Sequence, residues 1–313
     1  MAMEFLHKPV LFDECMEMLE IKPDGIYVDG TLGGGGHSSG ILSLLEGGRL
    51  IGIDRDEAAL AAAGKKLEPH KEKVTFVHSN YSEIKRILDE LEIKEIDGAL
   101  LDLGVSSYQL DNPERGFSYM HDAPLDMRMN QSDSKSAYDV VNTYSEKELC
   151  RILYDYGEEK FSSNIAKKIE KYRQNKTIDT TLELVEVIKS ALPAAVLRKT
   201  GHPAKKIFQA IRIEVNKELS VFQKSLVDAF DVLNLNGRIV VITFHSLEDR
   251  LCKRMFKEKS SINLPSDMPI IPKEYLPEFE LVHKKAILPQ QEELLNNNRA
   301  HSAKLRAIRK IKK

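Results

Sequence analysis

The sequence predicts an α/β protein built on an open, doubly wound parallel sheet, and three observations carry that prediction. Short apolar runs alternate with helical patterns along much of the 313 residues, the cadence of strands joined by crossing helices. The first run ends in a carboxylate and opens into backbone with almost no side chains, Tyr27-Val28-Asp29-Gly30-Thr31-Leu32-Gly33-Gly34-Gly35-Gly36-His37. The next, Leu50-Ile51-Gly52-Ile53, ends in Asp54, where a doubly wound fold places the acidic residue that accepts hydrogen bonds from a ribose.

Strands are expected over 25–29, 49–54, 74–78 and 96–102, with helices over 41–46, 57–67 and 81–91 crossing between them. A fifth strand, 237–244, comes late. Roughly 130 residues separate it from the fourth, far more than one crossover needs, so a segment is inserted. The expected division is a core of 1–105 and 203–313 and a mainly helical insert of 106–202. The insert opens irregularly, rich in Ser, Asp, Asn and Pro, to about residue 136. Three helical faces follow, through Leu149, Ile152 and Leu153, through Ile165 and Ile169, and through Leu182, Val185, Ile188 and Leu192. After Pro203 one long helical pattern runs through Phe208, Ile211, Val215, Leu219, Phe222 and Leu226, and Asn234-Leu235-Asn236-Gly237 is expected to turn it back into the sheet. A hairpin over 279–288 and 302–311 closes the chain, with a helix over 303–313 as the alternative for its second arm.

Composition sets outer limits. With 42% hydrophobic and 30% charged residues the chain can bury one large or two modest cores. A formal net charge of -2 does not advertise a nucleic-acid binder, although a global balance can hide a local basic face. Cys15, Cys150 and Cys252 are widely spaced, which suggests neither a disulfide framework nor a zinc site and fits a reducing cytoplasm. No leader pattern opens the sequence and no apolar run reaches the roughly 20 residues of a membrane span, so neither export nor a membrane partner is expected.

The glycine turn points to a nucleoside ligand. Glycine tolerates positive φ and lets a ligand approach the main chain, while the helix that follows offers free N–H groups. The dinucleotide pattern is not met, because Ser38 stands where its third glycine belongs, and this weakens a nicotinamide cofactor. Asp102 ends the fourth strand and His245 follows the fifth, at the sheet edge where open α/β folds bind ligands. A helix cap or loop carboxylate is the competing reading for Asp102, and structural hydrogen bonding for His245.

Several separated blocks together resemble the bacterial MraW/RsmH methyltransferases over essentially the whole chain. They include Val28-Asp29-Gly30-Thr31 with Gly35-Gly36-His37-Ser38, Leu101-Asp102-Leu103-Gly104-Val105-Ser106-Ser107 with Gln109-Leu110-Asp111, and Arg115-Gly116-Phe117-Ser118. Pro124-Leu125-Asp126-Met127-Arg128-Met129, Tyr156-Gly157-Glu158-Glu159, His202-Pro203-Ala204, Phe208-Gln209-Ala210-Ile211-Arg212 and Phe244-His245-Ser246-Leu247-Glu248-Asp249-Arg250 agree as well.

The resemblance implies a Rossmann-like class I core that binds S-adenosylmethionine (SAM) and an inserted domain that recognises RNA. The implied reaction is methylation of N4 of a decoding-centre cytidine in 16S rRNA, within the small ribosomal subunit. The family's cofactor contacts fall on Gly35, Gly36, His37, Asp54, Tyr81, Asp102 and Gln109; Tyr81 and Gln109 come from the resemblance alone. Thr31 departs from the commonest methyltransferase turn, which has glycine there.

Transfer to an exocyclic amine needs alignment and an acceptor that turns the lone pair out of the ring, for which Asp102, Ser106 or a backbone carbonyl are candidates and His245 a further substrate contact. Carbon-5 transfer would call for a cysteine nucleophile, and none lies at a strand end. The Asn/Asp/Ser-Pro-Pro-aromatic tetrad of many amino methyltransferases is replaced here by Asp102-Leu103-Gly104-Val105. Tyr108, Phe117, Tyr119 and Phe244 are candidates for stacking on an extruded base. Candidates for phosphate contact are Arg115, Arg128, Arg250, the block from Arg198 and Lys199 through Lys205 and Lys206 to Arg212, and the terminal cations Arg299, Lys304, Arg306, Arg309 and Lys310. Two other readings use the same residues differently. A nicotinamide oxidoreductase would share the Asp54 contact but needs a second nucleotide-binding half, and a noncatalytic RNA-binding factor would not need Asp54 at all.

Overall fold

The computed structural model describes residues 9–198, 201–262 and 276–312. Lys199, among the sequence's candidate phosphate contacts, lies outside them. The chain forms two compact units, one of residues 1–104 and 221–313 and one of residues 105–220.

The first unit is built on a seven-stranded sheet. Its strands are β1 (Ile26–Asp29), β2 (Arg49–Asp54), β3 (Val74–His78), β4 (Ile96–Asp102), β5 (Leu233–Thr243), β6 (Phe279–Leu281) and β7 (Lys304–Lys310), in the order β3-β2-β1-β4-β5-β7-β6. The first five run parallel, while β7 pairs antiparallel with β5 and β6 antiparallel with β7, so the closing hairpin forms and the alternative terminal helix does not. Its first arm is much shorter than 279–288. The strand order reverses between β1 and β4, which puts the ends of both at the crevice where such sheets bind ligands.

Side chains alternate between two cores. Val28, Ile51, Ile53, Ala99, Leu101, Ile239 and Val241 face one, while Tyr27, Leu50, Leu100, Val240 and Ile242 face the other. Helices cover both faces. On the first side lie α4 (Ile84–Glu90), α12 (Glu218–Val232) and α13 (Ser246–Ser260), and on the second α1 (Phe12–Leu19), α2 (Gly36–Leu44) and α3 (Glu57–Lys66). This sandwiching explains why the parallel strands read as nearly unbroken apolar runs.

The second unit holds α5 (Ser107–Asp111), α6 (Ala137–Thr143), α7 (Glu146–Asp155), α8 (Ser162–Arg173), α9 (Thr181–Ala191), α10 (Ala194–Leu197) and α11 (Lys205–Asn216). Four of these start on reciprocal caps, Ser106 with Gln109, Ser136 with Asp139, Ser145 with Glu148 and Thr180 with Glu183, each satisfying backbone donors at a helix N-terminus. The irregular entrance is secured by side chains instead of a ladder. Asn216 accepts from Met129 N at 2.9 Å and donates to Met127 O at 2.7 Å, and the buried Arg115 donates to the carbonyls of Arg128 and Met129.

Three expectations need correction. The helical unit runs to Ser220 instead of ending at 202, because α11 buries Ile207, Phe208, Ile211 and Val215 in that unit's own core and its Asn216 pins the entrance segment. The single long helix is two, broken at Lys217, whose φ of 52° lies in the left-handed region. The segment Asn234 to Gly237 is not a separate turn. It bulges within β5, where Ile96 already pairs with Leu233 and the next pair is Gly98 with Arg238.

The face of α9 also differs from the one read from the sequence. Leu182 is 38% exposed, whereas Leu184 is fully buried beside Val185 and Ile188. Both spacings fit a helical period, and only the neighbours decide between them. Leu184→Ala should cost about 2–5 kcal/mol and Leu182→Ala less than about 1 kcal/mol; equal losses in chemical denaturation would overturn this assignment.

Candidate active site

The end of β1 is organised by one buried carboxylate. Asp29 is 1% exposed and accepts from Thr31 N at 3.1 Å and from Ser38 Oγ at 2.6 Å. The Thr31 hydroxyl in turn accepts from Asp102 N at 2.6 Å, joining the turn to the end of β4. Thr31 and Ser38 are the two residues that depart from the general glycine patterns. Both are explained by service to Asp29 and Asp102, a role that sequence patterns alone did not reveal.

Between them the main chain turns sharply. Gly33 and Gly35 have φ of 49° and 75°, conformations costly for residues with a Cβ, and Gly35 N donates to Leu32 O at 2.8 Å. A methyl at Gly34 would meet nothing within 4 Å, so the turn leaves open space beside it. Asp54, at the end of β2, accepts from Gly33 N at 2.8 Å and from Asp56 N at 2.9 Å. It therefore braces the turn as well as ending the second strand. Tyr81 packs against Gly30, where an added Cβ would come within 3.0 Å of the tyrosine Cβ.

His37, in the first turn of α2, is 5% exposed, and its Nε2 lies 3.0 Å from Val10 O. A carbonyl can only accept, so Nε2 carries the ring proton and Nδ1 is bare in the neutral ring. Burial pushes the His37 pKa down to about 4, keeping it neutral at physiological pH. Nδ1 faces Asp102 Oδ2 at 3.5 Å, while Asp102 Oδ1 is enclosed without a hydrogen-bond partner among the described residues. Burial first, then the charges of Asp29 and Glu248, raise the Asp102 pKa well above the usual carboxylate range. Protonated Asp102 can donate toward the bare Nδ1; ionised Asp102 would set two acceptors face to face. Burial also raises Asp54 and takes Asp29 to about 6.

Gly33, Gly35, Gly36, His37, Asp54, Tyr81 and Asp102 are thus gathered at the carboxyl edge of β1, β2 and β4. His245 sits at the same edge after β5 but works as a cap: Nδ1 accepts from Glu248 N at 3.5 Å and Nε2 lies 3.0 Å from Glu248 Oε1. Ser106 and Gln109 belong to the helical unit. There Gln109 N donates to Ser106 Oγ at 3.2 Å and Ser106 N to Gln109 Oε1 at 3.1 Å, a reciprocal cap on α5. Of the stacking candidates, Phe117 is buried in the helical core, Tyr119 stacks on His202 at 4.4 Å, and Tyr108 is exposed.

The edge fits a cationic nucleoside ligand such as SAM. It offers glycine main chain with open space, a ribose-type carboxylate, an unpaired buried acceptor, and three carboxylates whose mutual repulsion a positive charge would relieve.

Asp29 titrates near 6 in the folded chain against 3.8 as a free side chain. With the folded value raised, its stabilising contribution is complete below the unfolded pKa and fades as pH rises through 6. The unfolding free energy of the wild type relative to Asp29→Asn should therefore increase by about 2 kcal/mol on going from about pH 7 to about pH 4.5. Urea titrations at the two pH values check this, and a pH-independent difference would contradict it.

A family model described as the MraW methylase family matches residues 4–311. Among solved structures, a proposed rRNA methylase from Clostridium thermocellum is 13% identical, with 95% of this chain and 94% of that one covered and a TM-score of 0.44. A proposed methyltransferase from Streptococcus mutans in complex with SAH is 11% identical, covers 95% and 96%, and has a TM-score of 0.46. An rRNA methylase from Streptococcus thermophilus is 10% identical, covers 96% and 94%, and has a TM-score of 0.43. Likenesses this distant say nothing about substrate. The family match spans nearly the whole sequence, and the seven-stranded sheet with its glycine turn and acidic strand ends agrees with it: the chain belongs to the MraW methylase family.

Proposed function

We propose that this methyltransferase modifies the exocyclic N4 amine of a decoding-centre cytidine in 16S rRNA of the small ribosomal subunit, in the cytoplasm. S-adenosylmethionine is the methyl donor, and when bound it supplies a methyl group already activated by a sulfonium. The observation that carries the reading is the edge itself, where bare glycine backbone, Asp54 and the enclosed Asp102 Oδ1 converge.

Each residue then has a defined task. The main chain at Gly35 and Gly36, with His37 and Tyr81, holds the adenosine portion, Asp54 accepts from the ribose, and Gln109 is a further cofactor contact implied by the family resemblance. Asp102 is suited to take the proton from the amine, because a carboxylate with a raised pKa is a stronger base. A positive charge brought to this edge favours its ionised form and so prepares it to accept. Ser106 and His245 are already engaged as caps, which leaves Asp102 the better candidate. The cysteines support amine over carbon chemistry. Cys15 and Cys252 are buried and burial pushes both thiols up, away from the thiolate that carbon-5 transfer needs. The helical unit is the proposed RNA-recognition domain.

Asp54→Ala should weaken SAM binding by about 1.5–3 kcal/mol in calorimetry, the range for hydrogen bonds to a charged group. Unchanged affinity would remove Asp54 from the site. Transfer of labelled methyl from SAM to unmethylated small subunits, followed by mapping of the nucleotide and atom, tests the substrate. Label on any other atom would refute the N4 assignment. With Asp102→Asn, kcat should fall by about 100-fold or more and lose its rise with pH; an unchanged pH profile would rule Asp102 out as the acceptor.

A further inference from the structure

The imidazole of His37 is held in a way that contact with adenosine does not call for. Its Nε2 donates to Val10 O at 3.0 Å, and the ring lies nearly parallel to that of Phe12, with 19° between the planes and 6.1 Å between the centroids. Gly36 packs on the same segment, since a Cβ there would come within 2.5 Å of Pro9 Cγ. The residues that lead into α1 therefore fix both the place of the ring and its tautomer, and they leave the Nδ1 lone pair facing Asp102 Oδ2 at 3.5 Å.

The surroundings of Asp102 give that lone pair its importance. Oδ1 of Asp102 is enclosed and has no hydrogen-bond partner among the described residues. The other titratable groups close enough to act on it are Asp29 on β1 and Glu248 on α13, with Cys15 on α1, whose thiol feels the Asp102 charge. Two of these are acids that oppose a further negative charge and the third is a buried thiol. Among the described residues, His37 is the one basic side chain within ion-pair distance of the Asp102 carboxyl. Burial and the charge of Lys66 on α3 both disfavour a charged His37 ring, so the imidazole stays neutral and its Nδ1 stays available as an acceptor.

In the proposed reaction, ionised Asp102 takes one proton from the amine as the methyl–nitrogen bond forms and the methyl–sulfur bond breaks, so the positive charge of the donor and the negative charge of Asp102 are discharged together. The carboxyl is left with a proton that needs an acceptor. A hydrogen bond made only to the protonated form raises the proton affinity of the group that carries it. The contact at 3.5 Å is longer than a strong hydrogen bond, as catalytic contacts often are before the reacting complex assembles.

We propose that His37 is a positioning residue for proton transfer, its Nδ1 accepting from Asp102 Oδ2 once Asp102 has taken the proton of the amine. The contact strengthens Asp102 as a base and turns the transferred proton away from the product. This rests on the reading of Asp102 as the proton acceptor, and it gives His37 a role separate from its contact with adenosine.

Two substitutions in the full chain separate this role from a structural one. The amide of His37→Gln can reach Val10 O in place of Nε2 and offers no acceptor at the Nδ1 position, whereas the shorter amide of His37→Asn offers an oxygen near that position and gives up Val10. At saturating SAM, the pH at which kcat for small-subunit methylation reaches half its plateau should fall by about one unit in His37→Gln. Its plateau should be about three- to tenfold lower, as expected of a weaker base. In His37→Asn the midpoint should stay close to the wild-type value. The same shift should appear with no ligand bound, in the titration of the Asp102 carboxyl followed by carbon NMR and assigned by the signal that Asp102→Asn removes. A midpoint unchanged in His37→Gln in either measurement overturns the proposal. So does a midpoint lowered as much in His37→Asn as in His37→Gln, which would reduce His37 to an anchor on Val10. If Asp102→Asn keeps the rise of kcat with pH, the reading of Asp102 as acceptor fails; if it abolishes the rise while His37→Gln leaves the midpoint in place, only the role of His37 fails.

Discussion

The buried carboxylate of Asp29 holds together the part of this protein on which its chemistry depends. It receives a backbone N–H from Thr31 and a hydroxyl from Ser38, so both ends of the glycine turn are tied to one point at the close of β1. Thr31 extends the tie to the backbone of Asp102 on the adjacent strand. A glycine-rich segment has a large conformational entropy to lose, and without anchors it would sample many shapes. The anchors convert it into a preformed turn of main chain, so ligand binding does not bear the cost of ordering it.

That arrangement gathers carboxylates at one edge, and their burial has a consequence. Asp29, Asp54 and Asp102 all hold their protons more tightly than free side chains do, with Asp102 most affected because it lies near Asp29 and Glu248 as well as being enclosed. His37 moves the opposite way for the same reason, since burial disfavours its charged form. Burial thus shifts all four groups toward their uncharged forms. A positive charge brought to this edge favours the ionised form of each of the three carboxylates.

The two units divide the work of folding differently. The sheet unit buries strands on both faces, so its stability comes from apolar area between layers. The helical unit begins with a long irregular segment whose backbone groups Asn216 and Arg115 satisfy, and four capping pairs do the same at the starts of its helices. Polar residues that resemble recognition residues, such as Arg115, are in this way committed to structure.

The order of strands and crossing helices, the glycine turn with Asp29, and the acidic ends at Asp54 and Asp102 were legible in the sequence because each is a local pattern: a period, a turn preference or a polar residue after an apolar run. The separated family blocks are likewise local, and they point to the methyltransferase family without any tertiary information. Other features depended on neighbours far along the chain. Leu182 and Leu184 both fit a helical face, and packing selected Leu184. The helix expected to return to the sheet belongs to the insert because its apolar face is covered there. The tasks of Thr31 and Ser38, the approach of His37 Nδ1 to Asp102 Oδ2, and the use of the terminal cations to bind Asp249 and Glu280 all arise where distant segments meet. Local sequence determines what a segment can form; only tertiary contact decides which of its faces is buried and which of its polar groups is left to act.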